Sequence, residues 1–110
     1  MASTIIKQPT EVVTGTNVIT TTHNLYSTNA VRLGKLYVIN LNLKLVSNVA
    51  QWGTIGTLKN VAMPTSIYVA GYTNDSSQMF YIGSTGDISC ATSSLVSGKD
   101  VKIAIPLILS

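Results

Sequence analysis

Bulky apolar and polar residues alternate along the segment LYVINLNLKLVS, which runs from Leu36 to Ser47. Its odd-numbered positions carry Tyr37, Ile39, Leu41, Leu43 and Leu45, and Asn40, Asn42 and Lys44 lie between them. Successive side chains of a β-strand point to opposite faces of the sheet. The segment therefore predicts one long strand with a core-facing side. Its polar side is either solvated or lies at a contact between subunits.

The rest of the chain repeats this alternation in shorter pieces separated by Gly, Asn or Pro. Helical periodicity is weak and β-branched residues are frequent, which indicates an all-β protein. We expect an antiparallel two-sheet β-sandwich of seven to eight strands with jelly-roll-like connections. Seven longer candidate strands cover residues 18–23, 36–47, 52–58, 66–73, 78–82, 88–92 and 101–109, and two shorter candidates cover residues 12–13 and 30–33.

The length of 110 residues fits one domain. We expect residues 1–10 to be a flexible segment and residues 11–110 to form a single β-sandwich domain. No apolar run approaches the roughly 18 residues that a membrane helix needs. The first four residues lack the charged and apolar regions of a signal peptide. The sequence therefore predicts no membrane insertion.

Charged residues make up only 10% of the chain, against 45% apolar residues. Chains with so little charge repulsion favour self-association, so we expect a homo-oligomer that hides part of the apolar surface. The last strand carries an apolar residue at each odd position, and we assign to the oligomer interface Ile103, Ile105, Leu107 and Leu109. Pro106 cannot donate to a ladder, so this strand is either at an edge or broken there. The seven basic residues are scattered, which argues against nucleic-acid binding.

Candidates for catalysis are few, because the chain has one His and four well-separated acids. His23 stands in a polar strand end far from any nucleophile motif, and we expect it at the surface or at a sheet edge. Asp75 and Asp87 occupy turn positions, which explains them without a glycosidase pair. One Cys and one His do not make a zinc site. The sequence therefore predicts a protein that is not an enzyme and that needs no cofactor or metal.

Recognition of a ligand is the remaining class of function. The predicted hairpin tip carries Tyr72, Asn74, Asp75 and Gln78, a composition typical of adaptable binding surfaces. Trp52 is either a core residue or a platform on which a sugar ring stacks. Gly53 and Gly56, close behind it, indicate bulges or points of close backbone approach.

The order of features along residues 34–109 resembles the head domains of bacteriophage tail proteins. A long strand leads into Trp52-Gly53-Thr54-Ile55-Gly56-Thr57-Leu58, then Met63-Pro64, then the hairpin and Ile82-Gly83-Ser84-Thr85-Gly86-Asp87-Ile88, then the closing apolar strand. The family is that of C-terminal, receptor-binding heads of tail fibre and baseplate proteins. The resemblance implies a homotrimer in the virion, made in the host cytoplasm, that contacts other tail proteins and binds a host cell-surface saccharide.

Two other functions remain open at this stage. One is a purely structural virion protein, such as a capsid decoration or baseplate assembly module, with protein partners only. The other is a bacterial carbohydrate-binding module, which ordinarily accompanies a signal peptide or a catalytic neighbour.

Overall fold

The computed structural model describes residues 11–61, 63, 65–74 and 76–108, so the segment 1–10 expected to be flexible lies outside it. The fold is all-β: ten antiparallel strands form a hydrogen-bonded sheet curled into a half-barrel. A 3-10 turn, Gly15–Asn17, follows the first strand. The strands are β1 (Glu11–Thr14), β2 (Ile19–Thr20), β3 (Asn24–Leu25), β4 (Asn29–Leu33), β5 (Leu36–Lys44), β6 (Thr54–Leu58), β7 (Ile67–Thr73), β8 (Ser76–Ile82), β9 (Asp87–Cys90) and β10 (Asp100–Ile108).

The strands follow the order β1-β4-β5-β10-β7-β8-β9-β6-β2 across the sheet, and β3 also pairs with β5. The all-β, antiparallel prediction is thus confirmed. The prediction of seven to eight strands in two sheets is not confirmed, because a short ladder joins both halves into one hydrogen-bonded order. This ladder pairs Val101–Ile103 of β10 with β7, and we call it the junction.

The core-facing side of β5 is where the sequence predicted it. All five odd-numbered residues from Tyr37 to Leu45 are buried. The β5–β10 ladder places Leu41 opposite Ile103 and Ile39 opposite Ile105, so both strands contribute to one apolar layer. Each fully buried side chain of this size stabilises the fold by roughly 1.5–3 kcal/mol. The long β5–β10 ladder therefore contributes much of the apolar core in this half of the sheet.

The last strand is a correction to the sequence interpretation, because β10 lies between β5 and β7 and is not a sheet edge. Ile103, Ile105 and Leu107 are buried inside the protomer, so they offer no exposed surface for the interface assigned to them. Leu109 lies outside the described residues. Pro106 pairs with Val38 of β5, while the ladder to β7 already ends at Ile103. The strand is not broken at Pro106, because β10 continues to Ile108, and the missing N–H falls where β10 has no ladder to β7.

Two glycines permit close contacts on which the sheet depends. A register shift between Thr54 and Gly56 forms a bulge in β6, and a Cβ on Gly56 would lie 2.7 Å from Cδ1 of Ile19. Both expectations for this glycine, a bulge and a close approach, are confirmed. A Cβ on Gly71 would lie 2.7 Å from the Phe80 ring and 2.9 Å from the carbonyl oxygen of Lys102. Gly71 therefore lets the Phe80 ring pack against the backbone at the junction.

The strand predicted over residues 18–23 is reduced to Ile19–Thr20. The hydroxyl of Thr21 donates to the carbonyl oxygen of Ile55 at 2.8 Å, and the backbone N–H of His23 donates to Thr21 Oγ1 at 3.2 Å. Thr side chains compete in this way with ladder hydrogen bonds. The alternating pattern alone did not reveal that competition.

Candidate functional site

The predicted hairpin-tip site does not assemble as one surface. In the β7–β8 ladder Tyr72 pairs with Ser77, and Gln78 pairs with Gly71. Neighbouring positions on a strand point to opposite faces, so Tyr72 and Gln78 lie on different sides of the hairpin. Tyr72 is 57% exposed, whereas Gln78 is half-buried. Asp75 lies outside the described residues.

The other two tip residues serve the fold. The side-chain carbonyl of Gln78 accepts hydrogen bonds from the hydroxyls of Thr92 and Ser93. Asn74 has a positive φ of 54° and its Oδ1 accepts a 2.9 Å hydrogen bond from the backbone N–H of Asp100. Asn is one of the few residues that adopt this conformation readily in a turn. Of the described tip residues, Tyr72 alone presents an uncommitted side chain to solvent.

Trp52 is not a core residue: its side chain is 53% exposed. Its φ of 69° is rare for a bulky residue and costs about 1–3 kcal/mol. Hydrogen bonds fix this turn, from the N–H of Trp52 to the carbonyl of Cys90 at 2.9 Å and from the N–H of Gly53 to the carbonyl of Ala50 at 2.8 Å. The backbone thus holds a large ring outward in a strained conformation.

The Trp52 ring contacts one tyrosine, which in turn contacts a second. Tyr81 meets Trp52 edge to face, with ring centroids 5.9 Å apart and an interplanar angle of 74°. Tyr68 pairs with Tyr81 across the β7–β8 ladder, with centroids 5.1 Å apart, and is 59% exposed. We call Trp52, Tyr68 and Tyr81 the aromatic platform. Such aromatic pairs add about 0.5–1.5 kcal/mol each beyond burial, so the platform is preorganised.

A cleft of about 220 Å³ opens beside the junction, on the outer side of β5, β10 and β7. Its polar lining consists of Asn40, Asn42, Lys102 and Tyr72, while Gly71 contributes backbone. The ladders place Lys102 opposite Asn42 on one side and opposite Tyr72 on the other. Tyr72 thus belongs to the cleft, and Tyr68 lies four residues away along β7, about 13 Å from it. The cleft and the platform are separate sites on one face.

His23 is buried, which corrects the expectation of a surface residue. Its Nδ1 accepts a 3.0 Å hydrogen bond from the backbone N–H of Val46. Burial lowers the pKa of His23 below its usual 6.5, because desolvation disfavours the charged ring. The ring is therefore a neutral structural acceptor, with its Nδ1 lone pair already occupied.

The carboxylate of Asp87 is held by two hydroxyl donors. Asp87 is the first residue of β9, directly after the turn, and one of its carboxylate oxygens accepts from the Thr57 hydroxyl at 2.6 Å and the other from Thr85 at 3.1 Å. Between residues 11 and 108, leaving aside 62, 64 and 75, no three His, Cys, Asp or Glu side chains come together as metal ligands. Cys90 is a free thiol in the core.

Sequence reasoning missed Tyr68 and Tyr81 as site residues. The length of the hairpin loop could have revealed them, because loop length fixes which residues pair across a hairpin. Two residues join β7 and β8, and this connection places Tyr68 opposite Tyr81. The sequence interpretation placed a longer turn there and lost this pairing. It also placed Asn40 and Asn42 on one polar face but did not predict that they line a cleft.

Comparison with known protein families and with characterised proteins finds no match for this chain. Within the described residues, the structure has no helix with the length and apolar character to cross a bilayer.

Proposed function

We propose that the protein is a non-enzymatic attachment module that binds a cell-surface saccharide through the aromatic platform. The observation that carries this proposal is Trp52, a half-exposed ring held in a strained backbone conformation. Backbone strain of this kind is found mainly at functional sites, because elsewhere a relaxed residue gives a more stable protein. An apolar ring face complements the C–H face of a pyranose.

The sequence resemblance to phage tail heads gives this function its biological setting. In that setting the chain is a receptor-binding domain of a tail fibre or baseplate, located in the virion and adjoining other tail proteins. The half-barrel is compatible with such a head, including one in which the two halves of the sheet pack as a jelly-roll-like sandwich. A non-enzymatic function agrees with the neutral, buried His23 and the hydrogen-bonded Asp87.

Assembly as a homotrimer is part of the proposal, and a second surface supports self-association. Two rows of apolar side chains cross the outer side of β1, β4, β5 and β10: Val12, Val31, Val38 and Pro106 in one row, and Leu33, Leu36 and Ile108 in the next. We call these seven residues the apolar face. Ile108 is 70% exposed and Val12 58%. A second copy is the favoured occupant, because none of these seven side chains is charged and burying them in a contact between subunits desolvates no ion.

The test measures binding of the purified protein to a glycan array and to host cells. Trp52→Ala and Tyr68→Ala should each weaken binding at least tenfold, because each removes a stacking surface. Tyr26→Ala is the matched control, since Tyr26 is similarly exposed, at 51%, but is in ring contact with none of the three platform residues.

Unchanged binding by both platform variants would overturn the assignment of this site. Silence on every array and cell, together with tight binding to another virion protein, would replace the saccharide function with the structural alternative.

A further inference from the structure

The cleft beside the junction arises from an incomplete ladder. Strand β10 pairs with β5 along its whole length, to Ile108, but with β7 only through Ile103. The two sides of the sheet therefore separate beyond the junction and leave a cleft on the outer surface, with a volume of about 220 Å³. That volume suits one sugar unit rather than a drug-sized ligand, which needs roughly 300 Å³ or more.

Three different chemical groups form a row across this cleft. The register aligns Asn42 of β5, Lys102 of β10 and Tyr72 of β7 on adjacent strands. Side chains in such a row stand about 5 Å apart, close enough for one small molecule to contact all three. Asn40 adds a second amide one row further along β5.

The two amides are fixed through their nitrogens. Asn42 Nδ2 donates to the carbonyl oxygen of Ser27 at 2.6 Å, and Asn40 Nδ2 donates to Asn29 Oδ1 at 3.1 Å. In the described part of the chain, neither amide oxygen receives a side-chain or backbone donor. A carbonyl oxygen accepts up to two hydrogen bonds, so both Oδ1 atoms suit ligand hydroxyls.

Lys102 gives the cleft a positive charge. Its ammonium group has no carboxylate within ion-pair distance among residues 11–61, 63, 65–74 and 76–108. Asp100 lies in the next row of the same face, opposite Lys44, and its Oδ1 is buried without a hydrogen-bond partner among the described residues. Two lysines against one carboxylate leave this part of the face with a net positive charge. Tyr72 supplies a ring edge and a hydroxyl beside it.

We infer that this cleft binds one anionic sugar unit, such as a uronic acid, as a subsite of the same saccharide-binding surface. The inference rests on the proposed saccharide function and adds the charge class of the ligand. Lys102 contacts the anionic group, the amide oxygens accept ligand hydroxyls, and Tyr72 packs against the ring. Phosphorylated sugars carry the same combination of hydroxyls and negative charge, and the test distinguishes them.

The experiment is an NMR titration of the whole, isotope-labelled chain with D-glucuronate, D-glucose, D-glucose 6-phosphate and inorganic phosphate. Glucuronate should shift the amide signals of Asn42, Gly71 and Ile103 with an affinity at least fivefold higher than that of glucose. Lys102→Gln should reduce the affinity for glucuronate to that for glucose. Lys35→Gln, a lysine outside the cleft lining, should leave both unchanged. Stronger binding of glucose 6-phosphate than of glucuronate would assign the site to phosphorylated glycans.

Three results would overturn the inference: shifts confined to residues outside the cleft, equal affinities for glucuronate and glucose, or inorganic phosphate binding as well as glucuronate. Because Trp52 and Lys102 lie in separate sites, the two proposals fail separately. If Trp52→Ala loses cell binding but glucuronate causes no NMR shifts in the cleft, only the inference of an anionic subsite is overturned. NMR shifts in the cleft, together with unchanged cell binding by Trp52→Ala, would overturn only the assignment of saccharide binding to the platform.

Discussion

The outer faces on either side of the junction differ in chemistry although both follow the same alternation of inward and outward residues. On the β1, β4, β5 and β10 side, the apolar face consists of aliphatic side chains and Pro106 in directly paired rows. On the β7 and β8 side, the outward residues include Tyr68, Tyr72 and Tyr81. Aliphatic groups offer no hydrogen bonds, whereas tyrosines offer both a ring and a hydroxyl.

This difference is the reason for which we propose different partners for the apolar face and the aromatic platform. An aliphatic face gains stability only by losing contact with water, about 25 cal/mol for each Å² buried, so it suits another protein surface. Exposed aromatic rings with polar neighbours suit a small hydroxylated ligand. We propose that the apolar face serves assembly, and that recognition belongs to the aromatic platform and to the cleft, which also includes Asn42 and Lys102 of β5 and β10. This comparison makes predictions that can contradict or refine it.

The largest expected effect comes from Phe80, whose ring packs against Gly71 at the junction. Phe80→Ala should lower the free energy of unfolding by about 3–5 kcal/mol, because a fully buried ring is lost. Urea unfolding, followed by fluorescence and circular dichroism, measures the change, and the exposed neighbour Met79→Ala is the control. Equal losses of stability in Phe80→Ala and Met79→Ala would contradict this prediction.

A smaller effect is expected at Gly71. Gly71→Ala should destabilise the protein by about 1–3 kcal/mol, because the new Cβ meets the Lys102 carbonyl and the Phe80 ring at under 3 Å. Gly83→Ala is the matched control, since the nearest atom to its new Cβ is 3.6 Å away. Thermal unfolding of both variants provides the comparison, and equal melting temperatures would contradict the tight packing at the junction.

The apolar face should control the oligomeric state. Ile108→Lys and Val12→Lys should each weaken self-association at least tenfold, about 1.4 kcal/mol, because a charge must be buried at the contact. Val96→Lys, at a similarly exposed valine outside the face, should leave the oligomer intact. Light scattering across a dilution series gives the masses. A wild-type monomer at micromolar concentration would remove the assembly function from this half.

A modest pH dependence should come from His23. Its folded-state pKa lies below the unfolded value near 6.5, so the unfolded chain binds the proton more tightly. The stabilising effect is therefore complete above pH 6.5 and is lost as the pH falls from 6.5 through the lower folded-state pKa. Urea unfolding between pH 7.5 and 5 measures it, and His23→Gln should reduce the slope. A slope unchanged in that variant would assign the dependence to other groups.

The smallest stability effect is expected where the largest binding effect lies. Trp52→Asn should change the free energy of unfolding by no more than about 0.5 kcal/mol, because Asn relieves the positive-φ strain and the lost ring is half-exposed. The same variant should lose saccharide binding. A destabilisation of several kcal/mol would instead make Trp52 a structural residue and remove the reason for the platform.

Much of the fold was predictable because alternation is a local property. The buried side of β5, the closing strand β10 and the turn at Asp87 all follow from patterns within a few residues. The position of β10 was not predictable, because an apolar run with a Pro fits both an edge and a central strand that is unpaired on one side at the Pro. The exposure of Trp52 depends on a positive φ fixed by a hydrogen bond to Cys90, 38 residues away.

By itself the sequence determined the secondary structure class and which side of each long strand faces the core, because side-chain direction alternates with every residue. Tertiary structure alone decided which strands are neighbours, and therefore which outward residues share a surface. Pairing across β7 and β8 brings Tyr68 to Tyr81 and Trp52, and the short junction opens a cleft among Asn42, Lys102 and Tyr72. These sites combine residues far apart in the chain, and only strand order and register place them together.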